Sequence, residues 1–173
     1  AEIQKHVALL ADTDAVIGIG GGKTLDCAKA VGYYGKRPAI IVPTAASSDA
    51  PCSRLSVVYT DGGQFDHYLP LPENPRMVLM DTELISKAPV RFLTAGIGDA
   101  FATYYEAAAC VQSNAVTMTG GHATNAAFAL ATLCHDSLLA DGVKAVSAVR
   151  LGLRTKAVEN IIETNTLLSG LGF

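Results

Sequence analysis

The stretch "VIGIGGGKTLDCAKA", Val16 to Ala30, constrains the fold of this 173-residue chain more than any other. Its apolar start is too short for a helix and rich in β-branched residues, which predicts a buried strand. Glycines at 18, 20, 21 and 22 follow, and then "KTLDCAKAVGYYG", which reads as a helix closing at Gly35. "PAIIVP" is a second apolar strand of the continuous kind found in parallel sheets. Strand, helix, strand in this order predicts a right-handed β-α-β unit, with ligands beyond the carboxyl ends of its strands.

The glycine turn fits neither familiar phosphate motif. A Walker A loop needs glycine five places before Gly22 and finds Ile17; a G-x-G-x-x-G fingerprint from Gly18 or Gly20 meets Lys23 or Leu25. What remains is the physics common to both, a helix N-terminus with unpaired N–H groups and a positive dipole end that favours an anion. An ordinary strand-to-helix turn is the other reading, but three consecutive glycines are costly in backbone entropy unless something must approach closely.

The rest of the chain changes character. "EIQKHVALLAD" predicts an opening helix; "SVVYT", "DGG" and "QFDHYLPL" predict a hairpin; "RMVLMD" is a third apolar strand. Beyond it run Ala-rich helical patterns with breaks expected near Gly120-Gly121, Gly142 and Gly170. A boundary near Pro89 therefore separates an α/β part, 1–88, from an all-α part, 89–173.

Composition excludes some partners. The net charge of −3 with scattered basic residues gives no footprint for nucleic acid. No run reaches the roughly 18 uninterrupted apolar residues of a spanning helix, since "AAFALATLCHDSLLA" is interrupted by His135 and Asp136; no membrane partner is expected. Cys27, Cys52, Cys110 and Cys134 form no CxxC pair, and reduced thiols in a cytoplasmic protein are expected. Hydrophobic residues make up 50% of the chain and charged ones 17%, against a usual charged level of about 25%. Some apolar surface is thus expected to meet another surface, and a homo-oligomer is the expected form.

Three groups of residues carry candidate chemistry. Gly20 to Thr24 follow the first strand. Thr44, Ser47, Ser48 and Asp49 follow the second, as a site or as a capped loop. Asp99, in "AGIGDAFATYYEAA", reads as a helix N-cap or first-turn acid unless it has metal-binding partners. His6, His67, His122 and His135 show no helical ligand spacing.

"GIGGGKTLDCAKA", "VPTAASSDAPCSRLSVVYT", "AGIGDAFATYYEA" and "ENIIETNTLLSGLGF", in this order, closely resemble the glycerol dehydrogenases of the iron-type, metal-dependent alcohol dehydrogenase superfamily, which includes dehydroquinate synthase. The likeness runs the length of the chain and corresponds to roughly the middle half of a full-length member. It implies a Rossmann-like, dehydroquinate synthase-like α/β part with parallel strands, followed by an all-α part. It also implies NAD at Gly22, Lys23, Thr24, Leu25 and Asp26, with Thr44, Ser47, Ser53, Leu55 and Tyr59 binding the rest of the cofactor. Asp49 corresponds to a substrate contact and Asp99 to the carboxylate ligand of a catalytic zinc, with two further histidine ligands expected after Phe173. The implied reaction is oxidation of glycerol or a related small polyol to dihydroxyacetone, the zinc lowering the pKa of the substrate hydroxyl while hydride passes to NAD. With one zinc ligand, the chain is expected to bind zinc weakly and turn over little alone. Two rivals stand beside this reading: a non-catalytic scaffold or assembly module, and a P-loop-type phosphate-binding protein with Asp81 as its second acid.

Overall fold

The computed structural model describes residues 2–118 and 120–172, in two compact units: Ala1–Thr44 with Ala50–Met80, and Ala45–Asp49 with Asp81–Phe173. The second unit takes in the loop 45–49 and the segment from Asp81, both on the α/β side of the division at Pro89.

In the first unit the β-α-β motif forms as the apolar pattern requires. A short helix α1 (Glu2–Val7) precedes β1 (Val16–Gly20), α2 (Gly22–Gly35) and β2 (Ala39–Pro43), and the two strands pair in parallel from Val16 opposite Ala39 to Gly20 opposite Pro43. A two-residue strand, Met77–Val78, pairs in parallel with β2 through Ile40 and Ile41, giving the order β1, β2 and that strand. Helix α2 covers one face: Leu25, Ala28 and Ile41 form the core, with Val16, Ala39 and Val78 packed against it. Contact is close enough that a Cβ on Gly18 would lie 2.5 Å from the Ala28 Cβ. Because side chains alternate along a strand, Ile17 and Ile19 point the other way and are 60% and 62% exposed. These positions are apolar but not buried, so β1 is a strand covered on one face.

Residues Leu55–Tyr59 (β3) and Phe65–Pro70 (β4) form a separate antiparallel hairpin, with a register irregularity between Val58 and Tyr59. Met77–Val78 is then β5.

The second unit is helical: α3 (Thr82–Ser86), α4 (Val90–Ser113), α5 (Asn125–Arg150), α6 (Lys156–Glu163), a π-helical turn (Thr164–Leu168) and α7 (Ser169–Gly172). Asp81 caps α3, its carboxylate accepting the Glu83 and Leu84 N–H groups. The expected break near Gly120-Gly121 falls between α4 and α5, where Asn114 ends α4 in the left-handed conformation and Thr124 caps α5 by accepting the Ala127 N–H. The breaks expected at Gly142 and Gly170 do not occur. Gly142 is buried inside α5, where tertiary packing outweighs its low helix propensity. Gly170 lies within α7, where a widened turn continues the helix, Ser169 N–H bonding the Thr164 carbonyl. Helix α5 is long and apolar enough, by length and composition, to cross a membrane. Here it carries a buried stripe of Ala131, Cys134, Leu138, Ala145 and Ala148, as a helix in a bundle does.

Candidate functional site

The glycine turn has the geometry of an anion cradle. β1 ends at Gly20 (φ +155°), where an added Cβ would lie 3.0 Å from the Thr24 side chain, and Gly21 caps α2 with no side chain and open space where its Cβ would be. The Thr24 and Leu25 N–H groups close the first turn on the Gly21 carbonyl, at 2.9 and 3.1 Å. Gly22 and Lys23, at the tip, add their N–H groups to the positive end of a 14-residue helix. Lys23 and Thr24 are exposed, whereas Leu25 and Asp26 are buried. Leu25 thus turns its side chain to the core, and Asp26 turns its carboxylate to the Lys29 ammonium, 2.9 Å away.

Two other expected cofactor residues stand beside this turn. The Thr44 N–H donates to the Gly20 carbonyl at 2.9 Å, so the ends of β1 and β2 lie together. Tyr59, on the hairpin, places its ring centroid 5.0 Å from the Lys23 ammonium. Ser53 and Leu55 lie further along α2, where their carbonyls accept from Lys29. Lys29 itself was not singled out in the sequence. Its i, i+3 spacing from Asp26 inside an otherwise apolar helix face is the signal that points to it.

The second unit holds Ser47, Asp49 and Asp99. Asp99 is not at a helix start: α4 begins at Val90, and Asp99 lies in its interior, so the N-cap reading fails. The helix continues through Gly96 because the chain there has no Cβ to meet the loop; an added one would collide with the Ala46 carbonyl oxygen and lie 2.5 Å from Asn165 Nδ2. Asn165, fully buried in the π turn, donates to the Ala46 and Leu93 carbonyls at 3.0 and 3.2 Å, pinning loop 45–49 to α4. That loop then delivers the Asp49 N–H to Asp99 Oδ2 at 3.2 Å. Loss of surrounding water raises the Asp99 carboxyl above the usual carboxylate range, and the Asp49 N–H pulls it back.

Among the described residues no group of three or more His, Cys, Asp and Glu side chains is placed to hold a metal. His135 instead lies among rings, its centroid 5.2 Å from Phe101 and 4.8 Å from Tyr104. His67 is exposed on the hairpin beside Asp66. Among the described residues no cysteine is in a disulfide, and burial pushes the Cys134 thiol up to about 11, which disfavours it as a nucleophile near neutrality. A cavity of about 430 Å³ lies at the other end of α2, lined by Tyr33, Lys36, Arg37 and Arg76. Cations at a helix carboxyl end offset its dipole, which accounts for Lys36 and Arg37 without a ligand.

Fold and glycine turn define an α/β segment with a side-chain-free strand-to-helix turn, joined in one chain to a helical unit. Residues 1–89 match the family described as iron-containing alcohol dehydrogenase, and the chain belongs to that family. Glycerol dehydrogenase of Citrobacter freundii is 55% identical over 174 aligned residues, 99% of this chain and 48% of the relative. Glycerol dehydrogenase of Thermotoga maritima is 57% identical over 173, again 99% and 48%. The crystal structure of glycerol dehydrogenase from Schizosaccharomyces pombe superposes with a TM-score of 0.93 at 45% identity, over 99% of this chain and 44% of that one. The chain spans about half the length of the curated relatives it matches.

Proposed function

We propose that this chain carries the dinucleotide-binding segment and the substrate-side carboxylates of a glycerol dehydrogenase, oxidising glycerol or a related small polyol to its ketone with NAD as hydride acceptor. The observation that carries the reading is the side-chain-free turn Gly20–Gly22 at the start of α2, in a chain more than half identical to glycerol dehydrogenases of two bacteria.

The residues fit NAD. The Gly22 and Lys23 N–H groups and the helix dipole suit the pyrophosphate, and the exposed Lys23 ammonium adds charge. Thr44 and Tyr59 border the same turn. Bound there, NAD supplies the hydride-accepting ring, and the protein supplies binding and orientation. In the other unit, Asp49 is placed on a loop fixed by Asn165, and its carboxylate is suited to accept a hydrogen bond from a polyol hydroxyl.

The residues do not by themselves fit zinc. Asp99 offers one carboxylate, and catalytic zinc has typically about three protein ligands, so no step is derived through a metal. Weak zinc binding and little turnover by this chain alone are the expected behaviour. The phosphate-transfer rival loses its second acid, since Asp81 is spent on capping α3. Self-association is proposed from the apolar composition, and a cytoplasmic location from the cysteines that form no CxxC pair.

Calorimetric titration of the chain with NAD⁺, and separately with ATP and Mg²⁺, tests the reading. Saturable NAD⁺ binding with no ATP-dependent Mg²⁺ uptake is expected. Binding of ATP and Mg²⁺ without NAD⁺ would overturn it, and binding of neither would favour the scaffold.

A further inference from the structure

The buried ammonium of Lys29 sits where the helix behind the glycine turn meets the hairpin. It is 2% exposed, and its Nζ faces four oxygens: Asp26 Oδ1 at 2.9 Å and the carbonyls of Ala50 at 2.8 Å, Ser53 at 3.4 Å and Leu55. The hairpin answers from its own side. Ser56 Oγ donates to the Asp26 carbonyl at 2.8 Å, and the Val57 N–H bonds the Asp26 carboxylate. Segment 50–57 is therefore wrapped around one cation belonging to α2.

Apolar packing does little of this work on the far strand. Phe65 and Tyr68 are 54% and 49% exposed, and the hairpin is hydrogen-bonded to no strand of the parallel sheet. A buried ion pair is a poor source of stability compared with an apolar filling of the same volume. What it adds is geometry. Three N–H donors and four oxygens fix the approach of hairpin to helix more narrowly than sliding apolar surfaces would. The fixed segment carries Ser53 and Leu55 and leads directly to Tyr59, which faces Lys23 at the turn.

We propose that Lys29 is a positioning residue that holds the hairpin as one wall of the dinucleotide groove, with the Asp26 carboxylate as its counter-ion. The proposal rests on the NAD reading and deepens it. Lys29 touches no cofactor atom; it sets the distance between the Gly20–Thr24 turn and the residues of the opposing wall.

Lys29→Met and Lys29→Arg, titrated with NAD⁺ and with inorganic pyrophosphate, separate a wall from a mere prop. Pyrophosphate needs only the turn, whereas NAD⁺ needs the wall as well. In Lys29→Met, NAD⁺ affinity should fall by about tenfold or more while pyrophosphate affinity stays within about twofold. Hydrogen exchange should speed up at amides 53–59 while the Ile41 amide keeps its protection. Lys29→Arg keeps the charge, but its planar fork suits a ring of carbonyls poorly, so an intermediate loss is expected. NAD⁺ binding within about twofold of the unaltered chain in Lys29→Met overturns the proposal alone. Equal loss of both ligands in both variants also overturns it, because the network then merely keeps the unit folded. Failure of the unaltered chain to bind NAD⁺ overturns the dinucleotide reading, and this proposal with it.

Discussion

Two glycines two residues apart on α4 should respond oppositely to the same substitution. At Gly96 a Cβ would strike the Ala46 carbonyl oxygen and stand 2.5 Å from Asn165 Nδ2 and 3.0 Å from the Ala46 carbonyl carbon. Neither neighbour can yield freely: Ala46 is 1% exposed, and the Asn165 amide is tied to both Ala46 and Leu93. Forcing a methyl into such a site costs about 1–3 kcal/mol. Moving the loop breaks the Asn165–Ala46 hydrogen bond and strands a buried donor or acceptor for about 1–3 kcal/mol more. Alanine returns roughly 1 kcal/mol of helix propensity. The balance for Gly96→Ala is a destabilisation of about 1–5 kcal/mol. Gly98 has nothing within 4 Å of its would-be Cβ, so Gly98→Ala should stabilise the helix by up to about 1 kcal/mol. Urea unfolding followed by circular dichroism at the helical band measures both. Displacing loop 45–49 also takes the Asp49 N–H from Asp99, so the Asp99 carboxyl should titrate higher still in Gly96→Ala, as carbon-detected NMR would show. A Gly96→Ala protein as stable as its parent, or a Gly98→Ala protein as damaged as Gly96→Ala, would refute the close-packing argument.

Two further substitutions test other parts of the fold. Gly18→Ala, whose Cβ would lie 2.5 Å from the Ala28 Cβ, should destabilise the first unit by about 1–3 kcal/mol; adding Ala28→Gly should recover part of the loss in a thermal melt. Hydrogen bonds from Asn160 and Lys144 lower the Asp141 carboxyl, so over the interval between its unfolded and folded values the unfolded chain binds more protons and stability rises with pH. That contribution is complete above the unfolded value of about 3.9 and is lost as pH falls through the folded one, so Asp141→Asn should flatten the acid side of a urea-midpoint profile. Asp99, raised by burial, has the opposite sign: stability falls as pH rises through its window, and Asp99→Asn should remove that fall.

Periodicity carried most of the fold. The first two strands, the helix from Gly22 to Gly35, the hairpin and the helical second half follow from patterns of two and of about 3.6 residues, whereas the third apolar run, "RMVLMD", forms a strand only at Met77–Val78. It could not say which face of a strand is covered: Ile17 and Ile41 read alike in sequence, yet Ile41 is fully buried and Ile17 is mostly exposed. Nor could it distinguish a glycine that ends a helix from one that lets a neighbour in. Gly120 stands between helices, whereas Gly96, Gly142 and Gly170 are inside them. That difference lies in contacts distant in sequence, such as Ala46 against Gly96, which no local window contains. Asp99 reads as a cap only when the helix is started nine residues too late, and a metal role for it rests on the resemblance alone.

The run Lys23-Thr24-Leu25-Asp26 shows how one helix start divides its residues between surface and core. A helix beginning at a ligand turn sends alternate parts of its first two turns to different tasks, since positions three or four apart share a face. Lys23 and Thr24 face outward at the mouth, while Leu25, Asp26, Ala28 and Lys29 face the sheet and hairpin. On the proposed reading the ligand meets backbone N–H groups, whose sequence signal is only the absence of side chains at Gly20, Gly21 and Gly22. Burial obliges the Asp26 carboxylate to find a partner inside the protein, and Lys29 is the partner it finds. The Asp26–Lys29 pair ties the helix to segment 50–57, so the proposed anion site is left to the backbone N–H groups of the turn and to the exposed Lys23.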